Sequence, residues 1–328
     1  MAINKLPSDI VIAVTYLCNS KCRMCNIWKT EKLSVLALEE YKKLPKTIKE
    51  VNLTGGEPFL RPDLVELIKL LVELNPKVRI IISTNGFATE LIKQRIMEIL
   101  PIKPDIIVGI SLDGIGEIHD QVRGIPGGFQ KVMATIKILK ELGVKDLHLA
   151  FTAGDYNINE LPKVYQLSRQ LGMEFTIAAI HNAESYFNTV DNKITEINEF
   201  KKEFKGLIKA ELKTWDFKRW LRAYFAYALI KFLATGKRLL PDYSGIDNVF
   251  IDPLGNVYPA TISGYLLGNL KDFKDFSELY MSEKAQQVLV LEEIEQNWII
   301  CTARSAMKRH AFAVIFWILK NKISGVNL

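Results

Sequence analysis

The chain has 328 residues, 48% hydrophobic and 24% charged, with a formal net charge of +6. This balance excludes a disordered or collagen-like chain, and the length provides a core that needs no disulfide staples. The positive excess suits an anionic ligand but is too small and dispersed to indicate nucleic acid. No window reaches the roughly 18 apolar residues of a membrane span.

Residues 1–9 carry no signal-peptide pattern, and a reducing, cytoplasmic setting is expected from the cysteine usage. From residue 10 to about 180 short β-branched runs alternate with amphipathic stretches. The runs Ile10–Thr15, Glu50–Leu53, Val78–Ile82, Ile106–Ile110, Leu147–Thr152 and Phe175–Ile180 read as strands. Between them Leu38–Ile48, Pro62–Leu74, Thr89–Leu100, Phe129–Leu142 and Ile158–Leu171 read as helices, and Gly143 and Gly172 close the last two. Six such units imply parallel strands with right-handed crossovers, in an open α/β sheet or a partial barrel.

The remainder is of another kind. Lys193–Gly236 reads as helical, and its group Trp215, Phe217, Trp220, Tyr224, Phe225 and Tyr227 reads as core packing. Val249–Asp252, a turn at Pro253–Gly255 and Val257–Tyr258 read as a β hairpin. A last helix is expected over Ala303–Lys322. It carries Lys308, Arg309, Lys320 and Lys322 around an apolar run, which fits a helix docked on the barrel. A segment resting on a membrane surface is the alternative.

The strongest chemical signal is the run Cys18-Asn19-Ser20-Lys21-Cys22-Arg23-Met24-Cys25, directly after the first strand. Cysteines at this spacing suit three corners of an iron–sulfur cubane, leaving one iron open. Structural zinc is the second option, although no fourth Cys or His lies nearby. Each later strand also ends in residues suited to a charged small molecule. These are Thr54-Gly55-Gly56-Glu57-Pro58, then Ser83-Thr84-Asn85-Gly86, then Ser111-Leu112-Asp113-Gly114 with Arg123 beyond. In parallel α/β sheets such loops converge at the carboxyl ends of the strands.

In this order the motifs resemble the radical S-adenosylmethionine (radical SAM) superfamily over residues 10–180. They are most similar to its branch of molybdenum-cofactor cyclases, peptide maturases and other enzymes with an extra C-terminal domain. The resemblance implies an α/β fold, a partial (β/α)6 TIM-type barrel with a smaller C-terminal α+β domain. The expected boundaries are 1–190 for the barrel, 191–238 for a helical connection and 239–328 for a degenerate auxiliary-cluster-like domain with its terminal helix. It further implies a 4Fe-4S cluster on Cys18, Cys22 and Cys25, with S-adenosylmethionine on the open iron. Gly55, Gly56 and Glu57 would meet the amino end of that cosubstrate. Ser83, Asn85, Ser111 and Asp113 would contact its ribose or carboxylate, and Arg61 or Arg123 would pair with the carboxylate. Reduction by a flavodoxin or ferredoxin would cleave the cosubstrate, and an unidentified substrate would lose a hydrogen atom. A non-catalytic metal- or cluster-binding scaffold of the same fold is the alternative.

Phe250-Ile251-Asp252-Pro253-Leu254-Gly255-Asn256-Val257-Tyr258-Pro259 and Leu267-Gly268-Asn269-Leu270 resemble the truncated auxiliary domain of that branch. The positions where relatives place cysteines are Asp242, Ala260 and Cys301. No second cluster is expected from one thiol, and Cys301 is expected to be a leftover ligand position that is now a buried core thiol, with a substrate-proximal residue as the alternative. His181, just past the sixth strand, is the histidine best placed for substrate contact, although it reads first as a polar rim residue with no catalytic task.

Overall fold

A computed structural model of the chain describes residues 5–31, 34–290 and 297–326. Residues 1–4, part of the segment read for a leader, lie outside them. Strand β1 (Asp9–Ala13) leads into the cysteine loop, and α1 (Leu38–Tyr41) precedes β2 (Glu50–Thr54). Then follow α2 (Leu64–Leu74), β3 (Arg79–Thr84), α3 (Thr89–Ile99), β4 (Ile107–Ser111), α4 (Glu117–Arg123), α5 (Gly128–Glu141), β5 (Asp146–Ala153), α6 (Leu161–Gln170) and β6 (Glu174–Ala179). The second region holds α7 (Glu184–Phe187), α8 (Ile197–Leu212), α9 (Phe217–Thr235), β7 (Asn248–Ile251), β8 (Asn256–Tyr258), β9 (Gly268–Asn269), α10 (Phe276–Met281), α11 (Glu283–Val290), α12 (Ile300–Arg309) and α13 (Ala311–Ser324).

The strands form one sheet in the order β6-β5-β4-β3-β2-β1-β7-β8-β9. β1 to β6 are parallel, each paired with its successor, as short helical crossovers require. This is the partial barrel with its C-terminal extension. The extension shares the barrel's sheet, because β7 pairs in parallel with β1 before β8 and β9 turn back antiparallel.

Side chains alternate across the sheet with period two. Val51, Leu53, Ile80, Ile82, Val108, Ile110, Leu149 and Phe151 point outward and share the main core with α2, α3, α5 and α6. The concave face carries partly exposed residues, among them Asn52, Thr54, Ser83 and Ser111. At β1 and β7 it turns apolar, where Val11, Ala13, Tyr16 and Phe250 gather with Cys18, Cys25 and Cys301.

α12 spans the barrel from one rim to the other. At the mouth Ile299 and Cys301 join that concave cluster. At the far rim Arg304 pairs with Glu50, the first residue of β2, and Lys308 stands 3.8 Å from Asp9, the first residue of β1.

Several elements depart from the sequence expectation. The helix expected over Leu38–Ile48 stops at Tyr41, since Pro45 cannot continue it. The expected last helix is two, broken at His310 (φ −108°, ψ 37°), whose Nε2 meets the Tyr243 hydroxyl at 2.8 Å. The helices α4, α7, α10 and α11 and the two-residue β9 had no expectation, being short segments without a sustained period.

Candidate functional site

The cysteine loop is held at the carboxyl ends of the strands from two sides. On one side the amides of Lys21 and Arg23 donate to the carbonyls of Arg123 and Val122 at 3.0 and 2.8 Å. This seats the loop on the end of α4. Ser20 Oγ donates to the Arg123 carbonyl at 2.9 Å and lies 3.0 Å from the Cys22 sulfur. On the other side the amides of Gly56 and Glu57 donate to the carbonyls of Thr15 and Leu17, both at 2.8 Å. That approach requires glycine. Gly55 has φ +142°, and a Cβ on it would stand 2.4 Å from the Thr15 carbonyl oxygen. A Cβ on Gly56 would stand 2.3 Å from that of Leu17.

Donors converge on two of the sulfurs. Arg123 Nη1 lies 3.6 Å from Cys22 Sγ, and Asn85 Nδ2 lies 3.9 Å from Cys18 Sγ while donating to Asn19 Oδ1 at 2.7 Å. Burial pushes the Cys18 and Cys25 thiols up to about 12, so without a metal they stand as neutral thiols at pH 7. Among the described residues no three His, Cys, Asp or Glu side chains converge on a single metal-ion position. A cubane asks for something different, because each thiolate takes its own corner iron. The donor set fits such a cluster: three half-buried cysteines, with the N–H groups of Asn85 and Arg123 aimed at two of the sulfurs.

Three of the candidate residues serve the framework instead of the mouth. Arg61 is 1% exposed and faces away. Its guanidinium donates to the Val14 and Leu36 carbonyls at 2.9 and 2.8 Å, to the Tyr41 hydroxyl at 3.2 Å, and pairs with Asp63 at 2.6 Å. The expected pairing of Arg61 with a cosubstrate carboxylate is corrected accordingly. Glu57 is fully buried, and its carboxylate accepts from Thr84 Oγ1 and the Asn85 amide at 2.8 Å and from the Phe59 amide at 3.2 Å. It stitches the end of β2 to the end of β3 and offers no oxygen to a ligand amine. Asp113, also fully buried, accepts from the Thr152 amide at 2.8 Å and pairs with Arg123 at 2.6 Å, so it acts through Arg123. Despite the cost of burial, this carboxylate holds the Arg123 guanidinium charged. Ser83 and Ser111 close β3 and β4 on the concave face, and Ser83 donates to Asn52 Oδ1 at 3.0 Å.

The structure adds residues that the sequence did not single out. Tyr186 donates to the Gly55 carbonyl at 3.2 Å, bracing the glycine turn from α7. Tyr156, past the end of β5, packs beside Cys22 and lies 4.5 Å under Arg23. Its hydroxyl is buried without a hydrogen-bond partner, and so is Nε2 of His181. Tyr156 packs near Cys22 and His181 lines a cavity past the end of β6, and buried polar atoms without a partner are uncommon in proteins. Ser20, inside the cysteine run, and His181, just past the sixth strand, had a local signal; Tyr156 and Tyr186 had none.

Past the end of β6 a cavity of about 450 Å³ opens between Ala178–Asn182, α9 and the residues leading into α12. Phe225, Leu229, Phe232, Ile262 and Trp298 make it largely apolar, with His181 among its few polar groups. It adjoins the cysteines: its wall residues Ile262 and Ile299 belong to the cluster that contains Cys18 and Cys25. At the three positions compared with auxiliary cysteines, Asp242 accepts from the Ser244 amide and hydroxyl and from Asn297 Nδ2, Ala260 is buried, and Cys301 is half-buried.

The profile of the Radical SAM superfamily matches residues 12–167. The chain is 31% identical over 175 residues to the antilisterial bacteriocin subtilosin biosynthesis protein AlbA of Bacillus subtilis, a match covering 51% of this chain and 38% of AlbA. It is 28% identical over 304 residues to the pre-heme d1 synthase of Dinoroseobacter shibae, covering 84% of this chain and 73% of that one. Streptococcus suis SuiB, solved with S-adenosylmethionine, shares the fold over 87% of this chain and 68% of its own, at 17% identity and a TM-score of 0.64. Residues 12–167 thus form a Radical SAM superfamily domain, set in a partial barrel that presents the cysteine loop.

Proposed function

We propose that Cys18, Cys22 and Cys25 hold a 4Fe-4S cluster and that the chain is an enzyme that cleaves S-adenosylmethionine reductively to take a hydrogen atom from a substrate. The observation that carries this is the setting of the three cysteines. They lie at the mouth of a parallel barrel, against the Gly55–Gly56 turn, with Asn85 and Arg123 directed at their sulfurs. When bound, such a cluster would supply the single electron for reductive cleavage of the cosubstrate's S–C5′ bond, and the 5′ carbon so released would take the substrate's hydrogen atom.

The chain's own residues bind and shield. The carbonyl groups of the Gly55–Gly56 turn receive the cosubstrate's ammonium, and Ser83, Asn85 and Ser111 line the concave face beneath its ribose. Arg123 stays charged beside Cys22 and carries the carboxylate. A cluster held by Cys18, Cys22 and Cys25 would take its electron from a one-electron donor of the flavodoxin or ferredoxin kind. Asp242, Ala260 and Cys301 supply a single thiol, so the C-terminal region holds no second cluster.

The apolar cavity takes the substrate. Nδ1 of His181 faces the Ala179 carbonyl at 3.1 Å, which fixes the proton there and leaves Nε2 as an acceptor. The pocket therefore suits an apolar group that bears an O–H or N–H donor. Anaerobic reconstitution should give about four irons per chain and, with reductant and S-adenosylmethionine, 5′-deoxyadenosine. Both should disappear in Cys22→Ala; if that variant keeps them, the proposal is wrong.

A further inference from the structure

The terminal helix turns its apolar side chains outward. One face of α13 docks, with Val314 and Ile318 buried and the Trp317 ring 4.5 Å from that of Tyr227 on α9. The opposite face repeats at helical spacing through Phe312, Ile315, Phe316, Leu319 and Ile323. Phe312 is 93% exposed, Phe316 71% and Ile323 89%. A helix that packs through one stripe ordinarily shows water a polar opposite face, and a contiguous apolar stripe of this size marks an interaction surface. Among the described residues nothing covers it. Trp215, 90% exposed at the turn between α8 and α9, lies beside the C-terminal end of the helix, with Lys322 Nζ 5.1 Å from its ring.

The segment that carries the stripe has charge of one sign. Residues 301–328 contain Arg304, Lys308, Arg309, Lys320 and Lys322 and no Asp or Glu. Arg304 and Arg309 are neutralised by Glu50 and Asp247 elsewhere in the fold. Lys320, on α13 itself, remains exposed without an ion-pair partner among the described residues, and Lys308 is exposed 3.8 Å from Asp9.

We propose that α13 lies on an anionic lipid bilayer, its stripe immersed at the boundary between headgroups and acyl chains and its lysines against lipid phosphates. No helix among the described residues is long and apolar enough to cross a membrane, so the contact is interfacial. A second copy of this chain fits less well. Pairing stripe to stripe would bring Lys320 of each copy to the seam, with no Asp or Glu on α13 to offset it.

The test is co-sedimentation of the full chain with vesicles of phosphatidylcholine plus phosphatidylglycerol and with vesicles of phosphatidylcholine alone. Strong binding to the anionic vesicles is expected, weakened by high salt. The Phe312→Ser/Phe316→Ser double variant should bind at least about tenfold less, with unfolding temperature unchanged because both rings are exposed. Failure to sediment with anionic vesicles overturns the proposal, as does undiminished binding by the double variant. So does a dimer in light scattering that the variant converts to monomer while vesicle binding is absent. The assay needs neither cluster nor substrate, so its outcome is independent of the catalytic proposal.

Discussion

The Arg123 guanidinium lies 2.6 Å from the fully buried Asp113 carboxylate, and the pair joins the end of β4 to the cysteine loop. Arg123 also carries the two backbone carbonyl contacts that seat Lys21 and Ser20, so one residue fixes both the loop's path and a positive charge beside Cys22. Arg123→Met removes the charge and the sulfur-directed donor while keeping the backbone contacts. Groups that orient metal ligands typically contribute a factor of about 10 to 100 in metal affinity. Chelator titration of the reconstituted protein should show a loss in that range. Arg123→Lys should recover part of it, because the charge returns without the planar fork. Equal cluster retention in all three proteins would mean the pair is structural only.

Gly55→Ala places a methyl group 2.4 Å from the Thr15 carbonyl oxygen at a backbone angle that side chains disfavour. Strain of this kind is worth about 1 to 3 kcal/mol. Relief would require the turn to move off the loop before Cys18. A lowered unfolding temperature and loss of S-adenosylmethionine binding by calorimetry are both expected. Retained binding at unchanged stability would mean the turn is not the cosubstrate's seat.

The cavity makes a prediction that needs no natural substrate. 1-Hexanol and 1-methoxypentane are similar in size and shape, and only the alcohol donates a hydrogen bond. The wild-type pocket, read through Trp298 fluorescence, should prefer the alcohol by a few-fold to about tenfold, the worth of one neutral hydrogen bond. His181→Phe should remove the preference while still admitting both. An equal response of wild type and variant would show that His181 Nε2 does not receive a donor.

The β1–β6 series was legible because each strand is a short β-branched run and each crossover keeps one apolar face. The cysteine loop and glycine turn were legible because their chemistry is local. What the sequence hid depends on contacts across the chain. Glu57 looks like a ligand for an amine until Thr84 and Asn85, far along the chain, close over its carboxylate. Arg61 looks available until Val14, Leu36 and Tyr41 surround it. Tyr186 reaches Gly55 from a segment with no periodic pattern. In the sequence the last helix reads as docked, with a membrane surface as the alternative, and only its contacts show that Val314 and Ile318 form the docked face.

The clamp at the far rim gives a pH-dependent prediction. Glu50 accepts a donor from Arg304 at 2.7 Å and from Arg79 at 2.8 Å. Burial raises its pKa, but the two guanidiniums outweigh this and hold it below the usual carboxylate range. Because the folded value lies below the unfolded one, near 4.3, the stabilisation is complete above about pH 4.3 and disappears as pH falls through the folded value. Glu50→Gln leaves Arg304 and Arg79 without their carboxylate and should cost about 1 to 3 kcal/mol at neutral pH. In urea unfolding, the gap between wild type and Glu50→Gln should be widest near pH 7 and shrink toward about pH 3. Other carboxylates titrate in both proteins, so the difference isolates Glu50. A gap that stays constant across that range would show that the clamp contributes through packing and not through charge.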